Sequence, residues 1–143
     1  MEMIDPDLQE GTETSAGHMG VTAAIEAIGA CPAVTDMMSR VGDKWSMQVV
    51  MKLGEEPRRF NELRRAVEGI SQRMLTRTLR NLERDGLVSR KVTPSVPPRV
   101  DYALTPLGKS LWGPVTMLSR WVIDNRIEIE SARAEYDARA DAD

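Results

Sequence analysis

The sequence is poor in the residues that build covalent scaffolds and metal centres. Its 143 residues include one cysteine, Cys31, and one histidine, His18. A single cysteine excludes an internal disulfide framework, and His18 has no neighbouring ligands that would suggest a metal site. The sequence also lacks a glycine-rich phosphate loop, and the remote His18 is the only histidine that could assist Cys31. We therefore expect no catalytic residue, no metal and no cofactor.

Long apolar runs are also missing. No stretch approaches the length of a membrane-spanning helix, and the first residues do not show the basic-then-apolar pattern of a signal peptide. We expect a soluble, cytoplasmic protein without a membrane partner. With 41% hydrophobic residues, the chain is long enough for one domain with a core and short for two.

Positive charge is concentrated in one part of the chain, although the net charge is −3. Residues 1–30 carry six acids and no lysine or arginine, whereas residues 58–99 carry eleven bases and four acids, a net charge of +7. A local excess of this size favours binding to a polyanion.

Residues 60–104 have the order helix, tight turn, helix and β-hairpin, which is typical of a winged helix-turn-helix. Asn61 is a candidate cap for the first helix. Ser71 is the expected N-cap of the second, and Gly86 suits the position just past its end. The second helix of such a motif lies in the DNA major groove.

The second helix has an apolar stripe and an unbalanced polar face. Leu75, Leu79 and Leu82 recur at helical spacing and predict its buried side. The first acid inside the helix is Glu83, near its end, so the arginines before it have no acid four residues earlier to pair with. Arginine, glutamine and threonine commonly contact base edges or phosphates. A basic surface helix without a ligand is the alternative. We predict DNA contacts from Ser71, Gln72, Arg73, Thr76, Arg77 and Arg80.

The hairpin that follows predicts a wing. Two β-prone segments, 87–92 and 99–104, flank a proline-rich segment at 93–98, which should form a stiff tip because proline has no amide donor. Basic residues beside such a tip favour contact with the phosphate backbone or the minor groove. Outside the second helix, we predict DNA contacts from Lys44, Arg59, Arg90, Lys91 and Arg99.

Further helices are predicted on both sides of the motif. Before it, apolar residues at helical spacing predict three short helices, at 21–28, 32–41 and 43–53. Asp43 should cap the third of these and Gly54 should end it. A long helix should begin at Pro106, a usual first position for proline, with Thr105 as its cap, and should be kinked by Pro114. The tail from Glu128 should fray toward Asp143.

The predicted fold is mainly α-helical with a small β-hairpin wing, an α+β winged helix-turn-helix with flanking dimerisation helices. We expect a mobile acidic arm at 1–20, a DNA-binding and dimerisation domain at 21–127, and a tail at 128–143. The apolar residues of the long C-terminal helix occupy more than one face, which is more than one small domain can cover. We predict a homodimer interface from Val21, Ile25, Ile28, Trp112, Leu118, Trp121 and Val122.

A set of short motifs appears in order across residues 31–125. They include Cys31-Pro32, Gly42-Asp43-Lys44-Trp45, Arg59-Phe60-Asn61-Glu62-Leu63, Gly69-Ile70-Ser71, Asp85-Gly86-Leu87 and Val100-Asp101-Tyr102. As a set they resemble the HxlR family of bacterial transcriptional regulators, a branch close to the MarR-type winged helix proteins. The resemblance implies a homodimer that binds double-stranded DNA at a pseudo-palindromic operator. Asp101 stands where that family usually has glutamate.

Cys31 is the one candidate site of regulation. The resemblance implies that a cysteine at this position can sense oxidants or electrophiles, and a place just before a helix start favours the reactive thiolate. A buried, inert thiol is the alternative, and a small-molecule effector would be a different signal. For the whole chain, the alternative to a DNA-binding regulator is a winged-helix protein-interaction module without specific DNA binding.

Overall fold

The computed structural model of the protein describes residues 20–142. Nearly all of the arm predicted at 1–20, including His18, lies outside the described residues. The boundary between two compact units falls after Gly42. The described part of the first unit is helical, and the second unit contains the sheet.

The first unit holds helices α1 (Gly20–Ala30) and α2 (Pro32–Gly42), with Cys31 between them. Pro32 is the first residue of α2, as predicted. The Thr35 hydroxyl donates to the carbonyl oxygens of Ile28 at 2.5 Å and Cys31 at 3.1 Å, which ties α2 to the preceding corner. Within residues 20–142 no single helix is long and apolar enough to cross a membrane. In the part of the chain that the structure describes, only the pair α1 and α2, bent by 93°, meets that test of length and composition when taken together.

The second unit has the winged helix order. Three strands form an antiparallel sheet in the order β1-β3-β2. The predicted fold class is confirmed, because most of the described chain is helical and the sheet contains the predicted hairpin. The elements are α3 (Lys44–Glu55), β1 (Arg58–Arg59), α4 (Phe60–Ala66), α5 (Gln72–Arg84), β2 (Val88–Thr93), β3 (Arg99–Leu104), α6 (Pro106–Asp124) and α7 (Arg126–Ala142).

Side-chain caps fix the starts of three helices. The Asp43 carboxylate accepts from the Ser46 amide at 2.9 Å and from its hydroxyl at 2.6 Å, and so begins α3. Ser71 begins α5 and Thr105 begins α6, each accepting a hydrogen bond from an amide three residues later. These bonds satisfy amides that would otherwise have no partner within the helix. All three caps were predicted from the sequence.

The core of the second unit lies where α3, α4 and α5 meet the sheet and α6. Its apolar side chains follow the spacing predicted for α3 and α5, and each exposes at most 6% of its surface. Burial of this kind stabilises a side chain by about 1.5–3 kcal/mol relative to exposure. The core residues include Val49, Val50, Leu53, Leu63, Val67, Leu75, Leu79, Leu82, Val88, Leu104 and Val115.

The start of α4 and the segment just before it differ from the prediction. Asn61 does not cap α4, because the helix begins one residue earlier at Phe60 and has no side-chain cap. Arg58 and Arg59, for which no strand was predicted, form β1 by pairing with Tyr102 and Asp101.

One predicted helix end was also wrong. Helix α3 runs past Gly54 to Glu55. A β-carbon at Gly54 would lie 1.9 Å from the Trp112 indole, so this glycine makes room for a neighbouring side chain. The residues from Glu128 belong to α7. Their alanines and long charged side chains have high helix propensity, and Arg126 pairs with Glu130 one turn later at 3.8 Å. Helix α6 continues through Pro114.

Candidate nucleic-acid interface

Both ends of the α5 helix are fixed by local structure, which determines the face it exposes. Ser71 caps its start, and Gly86, at φ +77°, takes the left-handed conformation just past its end. The turn that joins α4 to α5 contains Gly69 at φ +85°. Leu75, Leu79 and their neighbours on the same stripe are buried, so the opposite side of α5 faces away from the core.

The exposed side of α5 brings most of the predicted contacts together. The Thr76 hydroxyl already donates a hydrogen bond to the Gln72 carbonyl at 2.9 Å. Its oxygen can therefore act towards DNA only as an acceptor. Asn81 was not predicted, although it lies one helical turn after Arg77 and two after Arg73. An open depression on this side of α5 is lined by Gln72, Arg73, Thr76, Arg77, Arg80 and Asn81.

The arginines on this side of α5 lack acidic partners. Arg73, Arg77 and Arg80 are exposed, and within residues 20–142 none of them forms an ion pair within 4.0 Å. The α5 arginine row, as we call these three residues, therefore presents uncompensated guanidinium groups. Such groups can bind phosphates or the edges of guanine bidentately.

The predicted wing contacts fall on two faces of the sheet. Lys91 pairs with Asp101, and Arg99 lies two residues before Asp101 on β3, so these side chains share one face. Arg90 pairs with Tyr102 and lies on the other face, the one that carries the buried Val88 and Leu104. The three bases are exposed, but one rigid surface cannot engage all of them from the same side.

Two predicted contacts come from outside α5 and the hairpin. Arg59 lies in β1 opposite Asp101, so it joins the face that bears Lys91 and Arg99. The Lys44 ammonium lies 4.5 Å from the centre of the Trp45 ring, in a cation–π contact. That ring reaches the helix-turn-helix turn, since a β-carbon at Gly69 would lie 3.9 Å from it.

Two exposed basic residues were not predicted as DNA contacts, and a third basic residue is engaged in contacts within the protein. Arg64 and Arg65 are exposed in the last turn of α4. Their adjacency in the +7 segment was visible in the sequence. Arg58, by contrast, binds the Glu55 carboxylate at 2.7 Å and the Lys52 carbonyl at 3.2 Å, so its guanidinium joins the end of α3 to the sheet.

Cys31 lies in the first unit, immediately before α2, and is exposed. Its amide donates to the Ala27 carbonyl at 3.0 Å, and its own carbonyl accepts from the Thr35 amide at 3.0 Å. The backbone at Cys31 is therefore held by both helices. The alternative considered from the sequence, a buried thiol, does not describe this position in the single chain, where Cys31 is exposed.

The residues predicted for a dimer interface are all at least a third exposed, from 36% for Trp112 to 64% for Ile25. Trp112 also packs inside the second unit, where its indole N–H donates to the Met51 carbonyl at 3.3 Å. Trp121 lines a groove of about 300 Å³ between α6 and α7. Large apolar side chains exposed in such number are typical of an interaction surface. The others are Val21, Ile28, Leu118 and Val122.

A sequence model of the HxlR-like helix-turn-helix family matches residues 40–130. The chain belongs to this family. The resemblance seen in the sequence is thereby confirmed, and the matched range contains the whole of α3 to α6 with the sheet. As a member of the HxlR-like family, the chain is a DNA-binding transcriptional regulator of the helix-turn-helix type.

Relatives of this HxlR-like chain include regulators known from sequence and from structure. It is 37% identical over 105 residues to the HTH-type transcriptional regulator YtfH of Escherichia coli strain K12, across 73% of this chain and 82% of that protein. The structure of the transcriptional regulator YtfH from Salmonella typhimurium gives a TM-score of 0.67 at 35% identity, across 73% of this chain and 92% of that one. The redox regulator HypR in its reduced form gives a TM-score of 0.64 at 40% identity, across 69% of this chain and 98% of that one.

Proposed function

We propose that this HxlR-like regulator acts in the cytoplasm as a homodimer that binds a pseudo-palindromic operator in double-stranded DNA. Helix α5 of each subunit enters the major groove and reads the bases of one half-site. The observation that carries this proposal is the α5 arginine row, three exposed guanidinium groups without acidic partners on a helix fixed at both ends. A protein-interaction module would not need that row.

The other basic residues are assigned to the DNA backbone. Arg59, Lys91 and Arg99 share one face of the sheet, so they can follow one phosphate strand together. We assign Lys44 to a phosphate near the start of the recognition helix, because it stacks on Trp45, whose ring approaches the α4–α5 turn. We assign Arg90 a separate contact, because it lies on the other sheet face.

Dimerisation is proposed through the exposed apolar residues of α6, with α1 as a contributor. Trp121 and Leu118 are more than half exposed, and Trp121 lies beside the groove against α7. Two recognition helices joined by a two-fold axis require half-sites about one DNA turn apart. The domain boundaries predicted from the sequence, with the DNA-binding and dimerisation domain at 21–127, remain a prediction.

A thiol-reactive signal at Cys31 is the proposed input. Cys31 is exposed and lies at the corner between α1 and α2, where its backbone is hydrogen-bonded to both helices. The related HypR is a redox regulator whose structure is known in reduced and oxidised forms. Modification at Cys31 would add bulk at this corner, and we expect it to release the operator.

The test is a binding titration with Arg77→Ala, on operator DNA and on random DNA. A lost base contact should reduce operator affinity by about 1–3 kcal/mol per half-site, or about 5- to 150-fold, with a smaller effect on random DNA. The matched control is Arg139→Ala, which removes the same charge from exposed α7. Equal losses on both DNAs would make Arg77 a phosphate contact. No loss on either would refute the role of α5.

A further inference from the structure

Asp101 is the acidic residue at the centre of the basic sheet face. It lies on the middle strand β3, opposite Arg59 of β1 on one side and Lys91 of β2 on the other. Side chains of directly opposed residues in antiparallel strands point to the same face, with β-carbons about 4.5–5.5 Å apart. Arg99, two residues earlier on β3, shares that face as well. One carboxylate is thus surrounded by three of the predicted phosphate contacts.

The Asp101 carboxylate holds one of these bases directly. The Arg99 Nε atom donates to both carboxylate oxygens, at 3.1 and 3.2 Å. The Arg99 side chain is 51% exposed and that of Asp101 is 26% exposed, so solvent screens the pair and its contribution to folding is small. In the free protein the charge of Arg99 is nevertheless offset by a neighbouring anion.

We propose that Asp101 is a positioning residue that restrains the sequence-independent part of DNA binding, by holding Arg99. The inference rests on the proposed function, in which this sheet face meets the phosphate backbone. Counterions condensed on DNA are released when a free protein cation replaces them. A guanidinium already paired with a carboxylate brings little net positive charge to the DNA, so it replaces few of the condensed counterions.

The experiment is a salt titration of full-length protein on a random-sequence duplex, followed by fluorescence anisotropy. Asp101→Asn should bind more tightly at low salt than the wild type and should steepen the dependence of log K on log salt by about 0.9 per engaged wing. Between 50 and 200 mM salt, the steeper slope means that Asp101→Asn loses about three- to fourfold more DNA affinity than the wild type does. Asp101→Glu keeps the charge and should restore the wild-type slope.

Four further measurements separate the explanations. Glu135→Gln removes the same charge from exposed α7 and should leave the slope unchanged, which excludes a net-charge effect. In the Asp101→Asn background, Arg99→Ala should make the slope shallower by about one unit, whereas in the wild type, where Asp101 already offsets the Arg99 charge, it should change the slope much less. Thermal unfolding followed by circular dichroism checks that every variant is folded.

The outcomes distinguish this inference from the proposed function. If Arg99→Ala leaves the slope unchanged in the Asp101→Asn background as well as in the wild type, Arg99 does not meet DNA, and both ideas fail at this face. If Arg99→Ala makes the slope shallower while Asp101→Asn leaves it unchanged or weakens binding, the restraint by Asp101 is refuted and the wing contact stands. If Asp101→Asn steepens the slope equally without Arg99, the restraint does not act through Arg99.

Discussion

Replacing Gly108 with alanine should separate the start of α6 from the start of β2. A β-carbon at Gly108 would lie 2.1 Å from the Leu87 carbonyl oxygen and 3.2 Å from the Leu104 Cδ2 atom. That carbonyl oxygen also accepts the Thr105 amide at 3.0 Å. Because the closest group is backbone, a rotamer change cannot relieve the overlap, and the two segments must move apart by about 1 Å.

The magnitude follows from the contacts that must change. Overpacking of this kind costs about 1–3 kcal/mol, and weakening the bond between Thr105 and Leu87 costs about 0.5–1.5 kcal/mol. Alanine offsets about 1 kcal/mol through its higher helix propensity. The free energy of unfolding should therefore fall by about 2 kcal/mol, which lowers the Tm of a chain this size by about 8 °C.

The assay is thermal unfolding followed by circular dichroism. Gly29→Ala is the matched control, because Gly29 also lies in a helix and a β-carbon there would meet nothing within 4 Å. Its Tm should stay the same or rise. If Gly108→Ala unfolds within about 2 °C of the wild type, the close approach of α6 to β2 is not the reason for glycine at this position.

Two other predictions concern assembly and signalling. Trp121→Glu should shift the proposed dimer towards monomer at micromolar concentration in sedimentation velocity, because it places a charge in an apolar surface that is 57% exposed in the single chain. The control Val96→Glu, at the exposed hairpin tip, should sediment like the wild type, and a Trp121→Glu protein that does the same would remove α6 from the interface. Treatment with diamide should release the wild type from operator DNA while Cys31→Ser stays bound, since Cys31 is the only thiol in the chain. Wild-type binding that survives diamide would refute thiol sensing.

The features predicted correctly from the sequence are those that local chemistry determines. Ser71, Asp43 and Thr105 cap helices because a short polar side chain can reach an amide three residues later. The leucine stripe of α5 and the position of Gly86 follow from helical period and from the left-handed turn. None of these requires knowledge of a distant residue.

The features that were missed depend on residues far apart in the sequence. Strand β1 has two residues and no period of its own, so only its pairing with β3 defines it. Gly54 lies inside α3 because of the Trp112 indole, which a local reading of glycine as a helix end cannot include. The pairing of Arg99 with Asp101 depends on the side-chain conformations of the folded strand. Asn81 could have been found by extending the helical spacing of the arginines by one turn.

The pairing of β1 with β3 has a consequence for how the protein is made. This ladder encloses α4, α5 and β2 within one loop of the chain. During synthesis, the ribosome releases the recognition helix before it releases the strand that closes the loop. Arg59 thus has no strand to pair with until Asp101 has emerged. Only then can the pairing of β1 with β3 offset the entropic cost of closing the loop. A nascent chain that stops before β3 carries the basic helix without the sheet that positions it.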